Sequence, residues 1–166
     1  SNLQAALADA RQHLGRKFDV AAASIGDLSE FSRIEGVSVN TKGAIVLDNA
    51  VFFASGSHDL KDSGRGSLAK VVEVLSGAKY ASYDIHVAGH TDTDKIASTK
   101  TKYQDNWDLG FNRSHAVTMF MVERGVTPDR VAMVSYGEYR PVDTDKAKNR
   151  RVEIVLVPKS IAGGGN

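Results

Sequence analysis

Two imidazoles four residues apart, His86 and His90, stand just before a carboxylate, Asp92. On a strand the two histidines share a face, with Asp92 just beyond. A zinc centre needs a full tetrahedral set of ligands. Two rings and one carboxylate fall short of it, so no metal is expected. His90 instead follows Gly89 at a strand end, where its ring can hydrogen-bond loop backbone. Ala54-Ser55-Gly56-Ser57 holds two hydroxyls, but no base is placed beside them. There is no Gly-x-Ser-x-Gly elbow, phosphate-cradling loop or dinucleotide fingerprint. Gly89-His90-Thr91-Asp92-Thr93-Asp94 is the most polar stretch, and it closes an apolar strand. Ligands of open α/β sheets bind beyond the carboxyl ends of strands. Asp92 therefore either caps its loop or stands at a crevice mouth. Arg113 lies seven residues after Asn106, two turns into a helix that can lean toward the same mouth. The pair is either a salt bridge or a clamp for a zwitterion, the carboxylate taking an ammonium and the guanidinium forking onto a carboxylate. Asn149-Arg150-Arg151 opens a last strand, and one of its arginines can add to the anion side.

The elements that must position these groups follow from periodicity. Leu3, Leu7, Ala10, Leu14, Phe18, Ala21, Ile25 and Leu28 recur at helical steps, which predicts an N-terminal helix over residues 3–31. Val37 and Val39 alternate with polar residues, Asn40-Thr41-Lys42-Gly43 supplies a turn, and Ala44 to Leu47 follow, a hairpin pattern. Asp62 or Ser63 is placed to cap a helix carrying Leu68, Val71, Val72 and Leu75, stopped by Gly77. Tyr83 to Ala88 reads as a strand with Tyr83, Ile85 and Val87 on one face. Asn106 is placed to cap a further helix bearing Leu109, Val117, Phe120 and Met121, ended by Gly125 with Pro128 beyond. Val131 to Tyr136 and Arg151 to Val157 read as strands. The order is helix, β-hairpin, α, β, α, β, β. Helical crossovers favour parallel pairing with helices on a sheet face, an α/β fold. The link from Tyr136 to Arg151 is short enough to return the last strand antiparallel. The expected division is a helical lead-in over 1–35, a binding domain over 36–158 and a disordered tail over 159–166.

Composition removes several functions. Cysteine is absent, so thiol nucleophiles, disulfides and thiolate metal sites are excluded. The net charge of +1 argues against a surface that coats nucleic acid, which rests on clustered Lys and Arg. Hydrophobic residues at 42% and charged residues at 25% are ordinary for one globular domain. No apolar run is long enough to span a bilayer. Ser1-Asn2 is an unusual natural start, which points to an expression scar or a cut from a longer protein.

Taken together, the segments resemble the OmpA-like C-terminal domain. The likeness runs through Phe53-x-x-Gly56-Ser57-x-x-Leu60, Gly89-His90-Thr91-Asp92, Asn106-x-x-Leu109 with Arg113, and Gly125-Val126-x-x-x-Arg130-Val131. It ends in Tyr136-Gly137-Glu138-x-x-Pro141 and Asn149-Arg150-Arg151-Val152-Glu153. The resemblance implies a βαβαββ sandwich with a mixed sheet covered by helices. It implies non-covalent peptidoglycan binding in the periplasm, with no catalysis and no cofactor. In that family the Asp and Arg hold diaminopimelate of the stem peptide, roles that carry onto Asp92 and Arg113. Thr91 and Asn106 join them, as does Arg150 or Arg151. Two features depart from the common pattern. Gly110 stands where a Ser is usual, which removes a hydroxyl and loosens the first helical turn. Residues 93–105 form a long loop. That loop, Asn106-Trp107-Asp108-Leu109 and Tyr136-Gly137-Glu138-Tyr139-Arg140-Pro141 look like the flagellar stator B-subunit branch, MotB-like proteins. An alternative is an assembly module of an outer-membrane lipoprotein, in which the first helix and the sheet edge form a homodimer and the wall site is gated or vestigial.

Overall fold

A computed structural model describes residues 3–7, 27–96 and 102–159. Residues 3–7 are helical and exposed. The expected helix over 3–31 is not continuous: most of it lies outside the described residues, and residues 27 and 28 are non-helical. There the Asp27 carboxylate accepts from Ser29 N and Oγ, both at 2.8 Å. This turn leads into a separate short helix, α1 (Ser29–Ser32). Leu28, Phe31 and Ile34 are buried in the main core, so close packing begins upstream of residue 36.

The hairpin forms as its turn chemistry dictates. Strand β1 (Val37–Val39) pairs antiparallel with β2 (Ile45–Asp48). Asn40 Oδ1 accepts from Lys42 N at 3.0 Å and Ala44 N at 2.9 Å, an Asx-type turn. Gly43 takes φ +80°, a conformation that favours glycine. A short helix α2 (Asn49–Phe52) and the longer α3 (Asp62–Leu75) follow. Strand β3 (Tyr83–His90) leads through the polar loop into α4 (Asn106–Glu123), and α4 returns to β4 (Val131–Gly137). A single turn, α5 (Lys146–Asn149), precedes β5 (Arg151–Pro158).

The five strands form one sheet in the order β1-β2-β5-β3-β4. Only β3 and β4 are parallel; β5 returns antiparallel between β2 and β3. The sheet is therefore mixed, and the short 136–151 link does return the last strand antiparallel. Its strand parity decides what is buried. Tyr83, Ile85 and Val87 on β3, and Val152, Ile154 and Leu156 on β5, share a core with Leu68, Val71, Val72 and Leu75 of α3 and Val117 and Met121 of α4. Burying one such side chain contributes roughly 1.5–3 kcal/mol. The opposite sheet face carries His86, His90, Tyr136, Glu153 and Val155, which line an open groove.

Helix α4 approaches β3 without side chains between them. A Cβ on Gly89 would stand 1.9 Å from the Gly110 carbonyl oxygen, and a Cβ on Gly110 would stand 2.5 Å from Ser135 Oγ. Gly110 therefore does more than omit a hydroxyl. It lets the first turns of α4 sit directly on the strand end where the polar loop begins.

Candidate functional site

The expected cap of α4 is off by one residue. Asp105, in extended conformation, is the N-cap, and its carboxylate accepts from Asp108 N at 2.8 Å. Asn106 is the first helical residue, so its side chain is free for another task. Its Nδ2 donates to the carbonyls of Asp92 at 3.3 Å and Asp94 at 3.2 Å. The helix start is thereby tied to the loop that ends β3. Asn106, Leu109 and Arg113 follow at helical spacing and line one cavity.

That cavity has a volume of about 540 Å³. Thr91, Asp92, Asn106, Arg113 and Arg150 all line it, together with Asn49, Phe53, Gly56, Lys61 and Lys95. Thr91 N donates to Gly137 O at 2.9 Å, and its hydroxyl donates to Asp92 O at 2.9 Å, so the turn into Asp92 is held from both sides.

Asp92 is 6% exposed and does not pair with Arg113. Its Oδ2 takes Arg150 Nη1 at 2.5 Å, and its Oδ1 accepts from Asp94 N at 2.8 Å. Arg113 is 2% exposed. Its Nε donates to Ser57 O at 2.9 Å, and its guanidinium lies 5.6 Å from the Phe53 ring centroid. Burial is the main reason its pKa falls from 12.5 to about 10; Tyr103 and Asp92 attract the charge and Arg150 repels it. Among the described residues Arg113 is thus a buried cation with no carboxylate of its own, and it can bind an incoming anion.

Arg151 lies elsewhere. Successive residues of a strand face opposite sides, so Arg150 enters the cavity while Arg151 enters the other face. Arg151 Nε and Nη2 reach Glu153 Oε2 at 2.9 and 2.8 Å, and its Nη1 donates to Asn149 O at 3.0 Å. His90 Nε2 meets the same carboxylate oxygen at 3.1 Å. The hydrogen bond from His90, then the Arg151 charge, hold Glu153 down at a pKa of about 2 against desolvation. His90 therefore bonds a carboxylate rather than loop backbone. His86 and His90 do share a face, but Asp92 is on the other side of the sheet.

Several contributors carry no signal in side-chain type. Ser57 contributes a carbonyl rather than a nucleophile. Tyr103 is buried, and its hydroxyl accepts from His58 N at 3.0 Å and meets His58 Nδ1 at 2.5 Å, clasping the two loops beside Arg113. Lys146 Nζ bonds Asp94 Oδ1 at 2.5 Å, joining α5 to the polar loop. Among the described residues no group of His, Asp and Glu is placed to hold a metal ion.

This arrangement sits inside a stretch that a family model recognises: residues 52–154 match the OmpA family. The chain belongs to the OmpA family. It is 33% identical to a protein named probable lipoprotein YiaD from Escherichia coli, over 87% of this chain and 65% of that one. It is 31% identical to a peptidoglycan-associated lipoprotein of Pseudomonas aeruginosa, over 70% and 67% of the two chains. The chain thus spans about two-thirds of the length of these relatives. The crystal structure of a periplasmic domain of Helicobacter pylori MotB superimposes with a TM-score of 0.66 at 21% identity, covering 80% of this chain and 86% of that one. The mixed sheet and its helices are those of an OmpA-like domain, with MotB periplasmic domains among its structural neighbours.

Proposed function

We propose that this OmpA-family domain binds peptidoglycan non-covalently in the periplasm and anchors an envelope protein to the cell wall. The observation that carries the reading is one cavity lined by a buried carboxylate and a buried guanidinium that do not pair with each other, Asp92 and Arg113. The free end of diaminopimelate presents an ammonium and a carboxylate on one carbon. Asp92 suits the first and Arg113 the second, and the nearby N-terminus of α4 favours the anion. Asn106 and Thr91 hold the loop that presents Asp92, and Arg150 is its resident counter-ion. Arg151 is assigned no ligand contact. The domain performs no chemistry on the wall in this reading, and it requires no cofactor. The name of the Pseudomonas relative, a peptidoglycan-associated lipoprotein, supports it.

The full protein is proposed to carry its own membrane anchor, lipid or transmembrane, and to pair as a homodimer. Among the described residues no helix is long and apolar enough to cross a membrane. The test is a pull-down with purified sacculi. Asp92→Ala and Arg113→Ala are each expected to lose binding while circular dichroism stays that of the parent. Retained binding by both folded variants would refute the site assignment.

A further inference from the structure

Asn49, the first residue of α2, has its backbone held on both sides. Its N–H donates to Arg150 O at 3.3 Å, and its carbonyl accepts from Phe53 N at 2.9 Å. Asp48 caps the turn, accepting from Ala50 N at 3.2 Å. These bonds fix Asn49 beside the residue whose guanidinium pairs with Asp92. Asn49 lines the same cavity as Asp92 and Arg113 and is 7% exposed. Its Oδ1 is buried and has no hydrogen-bond partner among the described residues.

Buried polar groups are bonded as a rule, because an unpaired one forfeits its bonds to water. The other buried polar side chains on this wall obey the rule. Thr91 Oγ1 donates to Asp92 O, Asp92 Oδ1 accepts from Asp94 N, and Arg113 Nε donates to Ser57 O. Asn106, less buried, spends its Nδ2 on the polar loop. Asn49 is the exception. Its carboxamide carries an acceptor oxygen and N–H donors in one plane. Rotation about χ2, a soft two-fold torsion, turns either end toward the cavity.

An extended residue matches both ends at once, since its own N–H and C=O point to the same side, as in an antiparallel ladder pair. Volume allows such a partner. At about 540 Å³ the cavity is of the size that takes a whole small molecule, about 300–1,000 Å³. A short methylene chain separates the two amino-acid ends of diaminopimelate. In a stem peptide the second end carries an amide nitrogen. In the free amino acid that nitrogen is an ammonium. Asn49 is neutral, and Arg150 and Lys61 line the same cavity, so a second ammonium there meets cations and no partner charge.

We propose that Asn49 is a specificity-determining residue that takes the peptide-linked end of diaminopimelate. Oδ1 accepts the amide N–H, and Nδ2 donates to the carbonyl oxygen of the same residue. The proposal rests on the reading of the cavity as the diaminopimelate site. It makes the domain select the amino acid within a peptide over the free amino acid.

The experiment titrates the full chain by calorimetry with free diaminopimelate, with the stem tripeptide, and with the tripeptide methylated on the diaminopimelate amide nitrogen. The parent is expected to bind the tripeptide about tenfold tighter than the free amino acid, the equivalent of about 1.4 kcal/mol. Methylation should abolish that preference. Asn49→Leu should abolish it too, leaving the affinity for the free amino acid unchanged. The variant should melt no lower than the parent, since leucine of similar size removes a polar group with no partner. Equal affinity of the parent for free amino acid and tripeptide overturns the role of Asn49 and leaves the cavity reading intact. So does a methylated tripeptide that binds as tightly as the plain one, or a folded Asn49→Leu that keeps the preference. A lower melting temperature with equal loss of both ligands overturns it in favour of a structural role. Binding of no ligand overturns the cavity reading and this inference with it.

Discussion

Arg113→Met separates a binding role from a structural one, because the two roles predict opposite changes in stability. Burial lowers the Arg113 pKa from 12.5 to about 10. At 1.36 kcal/mol per unit, holding that charge costs the fold about 3 kcal/mol. The sign is uniform at neutral pH. Below pH 10 both the folded and the unfolded chain are protonated, so the full cost is present. It is relieved only as pH rises from about 10 toward 12.5. Methionine fills a similar volume without the charge. Against that gain, Ser57 O loses the donor it holds at 2.9 Å, and an unsatisfied buried carbonyl costs about 1–3 kcal/mol. The balance predicts stability unchanged or raised by up to about 2 kcal/mol. In a chain of this size that is a rise of a few degrees in melting temperature, about 2–4 °C per kcal/mol. Affinity for the stem tripeptide should fall by about 2–5 kcal/mol, at least thirtyfold or so, as expected when one partner of a desolvated charge pair is removed. Thermal unfolding and calorimetry on the same sample measure both. A fall in melting temperature of more than about 4 °C would refute the argument, since it would make the guanidinium a structural tie.

Glu153→Gln should remove an acid-dependent part of stability. The Glu153 pKa is depressed from 4.5 to about 2, so its contribution is full above 4.5 and is lost as pH falls through about 2. That contribution is about 3 kcal/mol. Urea midpoints between pH 2 and 7 should slope in the parent and be flatter in the variant; parallel curves would refute the assignment. Gly89→Ala drives a methyl into the Gly110 carbonyl and should cost about 3 kcal/mol, while Gly110→Ser clashes chiefly with the Ser135 hydroxyl, with the Gly89 carbonyl oxygen at 3.3 Å, and should cost about 1–2 kcal/mol. Denaturant midpoints that reverse this order would contradict the close packing of α4 on β3. Arg150→Gln should weaken peptide binding by no more than about tenfold, less than Arg113→Met, because it also frees Asp92 from a competing cation. Equal losses by calorimetry would make Arg150 a second ligand for the anion.

Much of the fold could be read from local pattern because local physics decides it. The parity of Tyr83, Ile85 and Val87 marks the buried face of β3, and Asn40 with Gly43 marks the hairpin turn. The readings that failed depended on one residue of phase or on distance along the chain. Asp105 and Asn106 are both good cap residues, and only the extended backbone of Asp105 decides between them. Arg150 and Arg151 differ only in strand parity, which was unknown until the start of β5 was fixed. The helical spacing upstream of residue 29 continued on paper through Asp27, whose carboxylate instead starts a new turn. The Asp92–Arg150 bond spans 58 residues, and the Ser57 carbonyl that takes Arg113 lies 56 residues away. No spacing rule reaches that far.

Those two long-range contacts explain why Asp92 and Arg113 stay apart. Had they paired, each would have satisfied the other, and a zwitterion would have had to break the bond to enter. Instead Asp92 has a partner whose side chain is 39% exposed, Arg150, which can move aside toward water at little cost. Among the described residues, Arg113 meets a carbonyl and a ring face and no carboxylate. Among the described residues, the cavity thus holds one carboxylate with an easily moved counter-ion and one guanidinium with none. Such a site gains from a ligand that brings an ammonium and a carboxylate together. It gains much less from either charge alone, since a lone ammonium leaves Arg113 unpaired and a lone carboxylate leaves Asp92 with Arg150. On the proposed reading, discrimination against singly charged ligands follows from this pairing pattern, with no steric exclusion required.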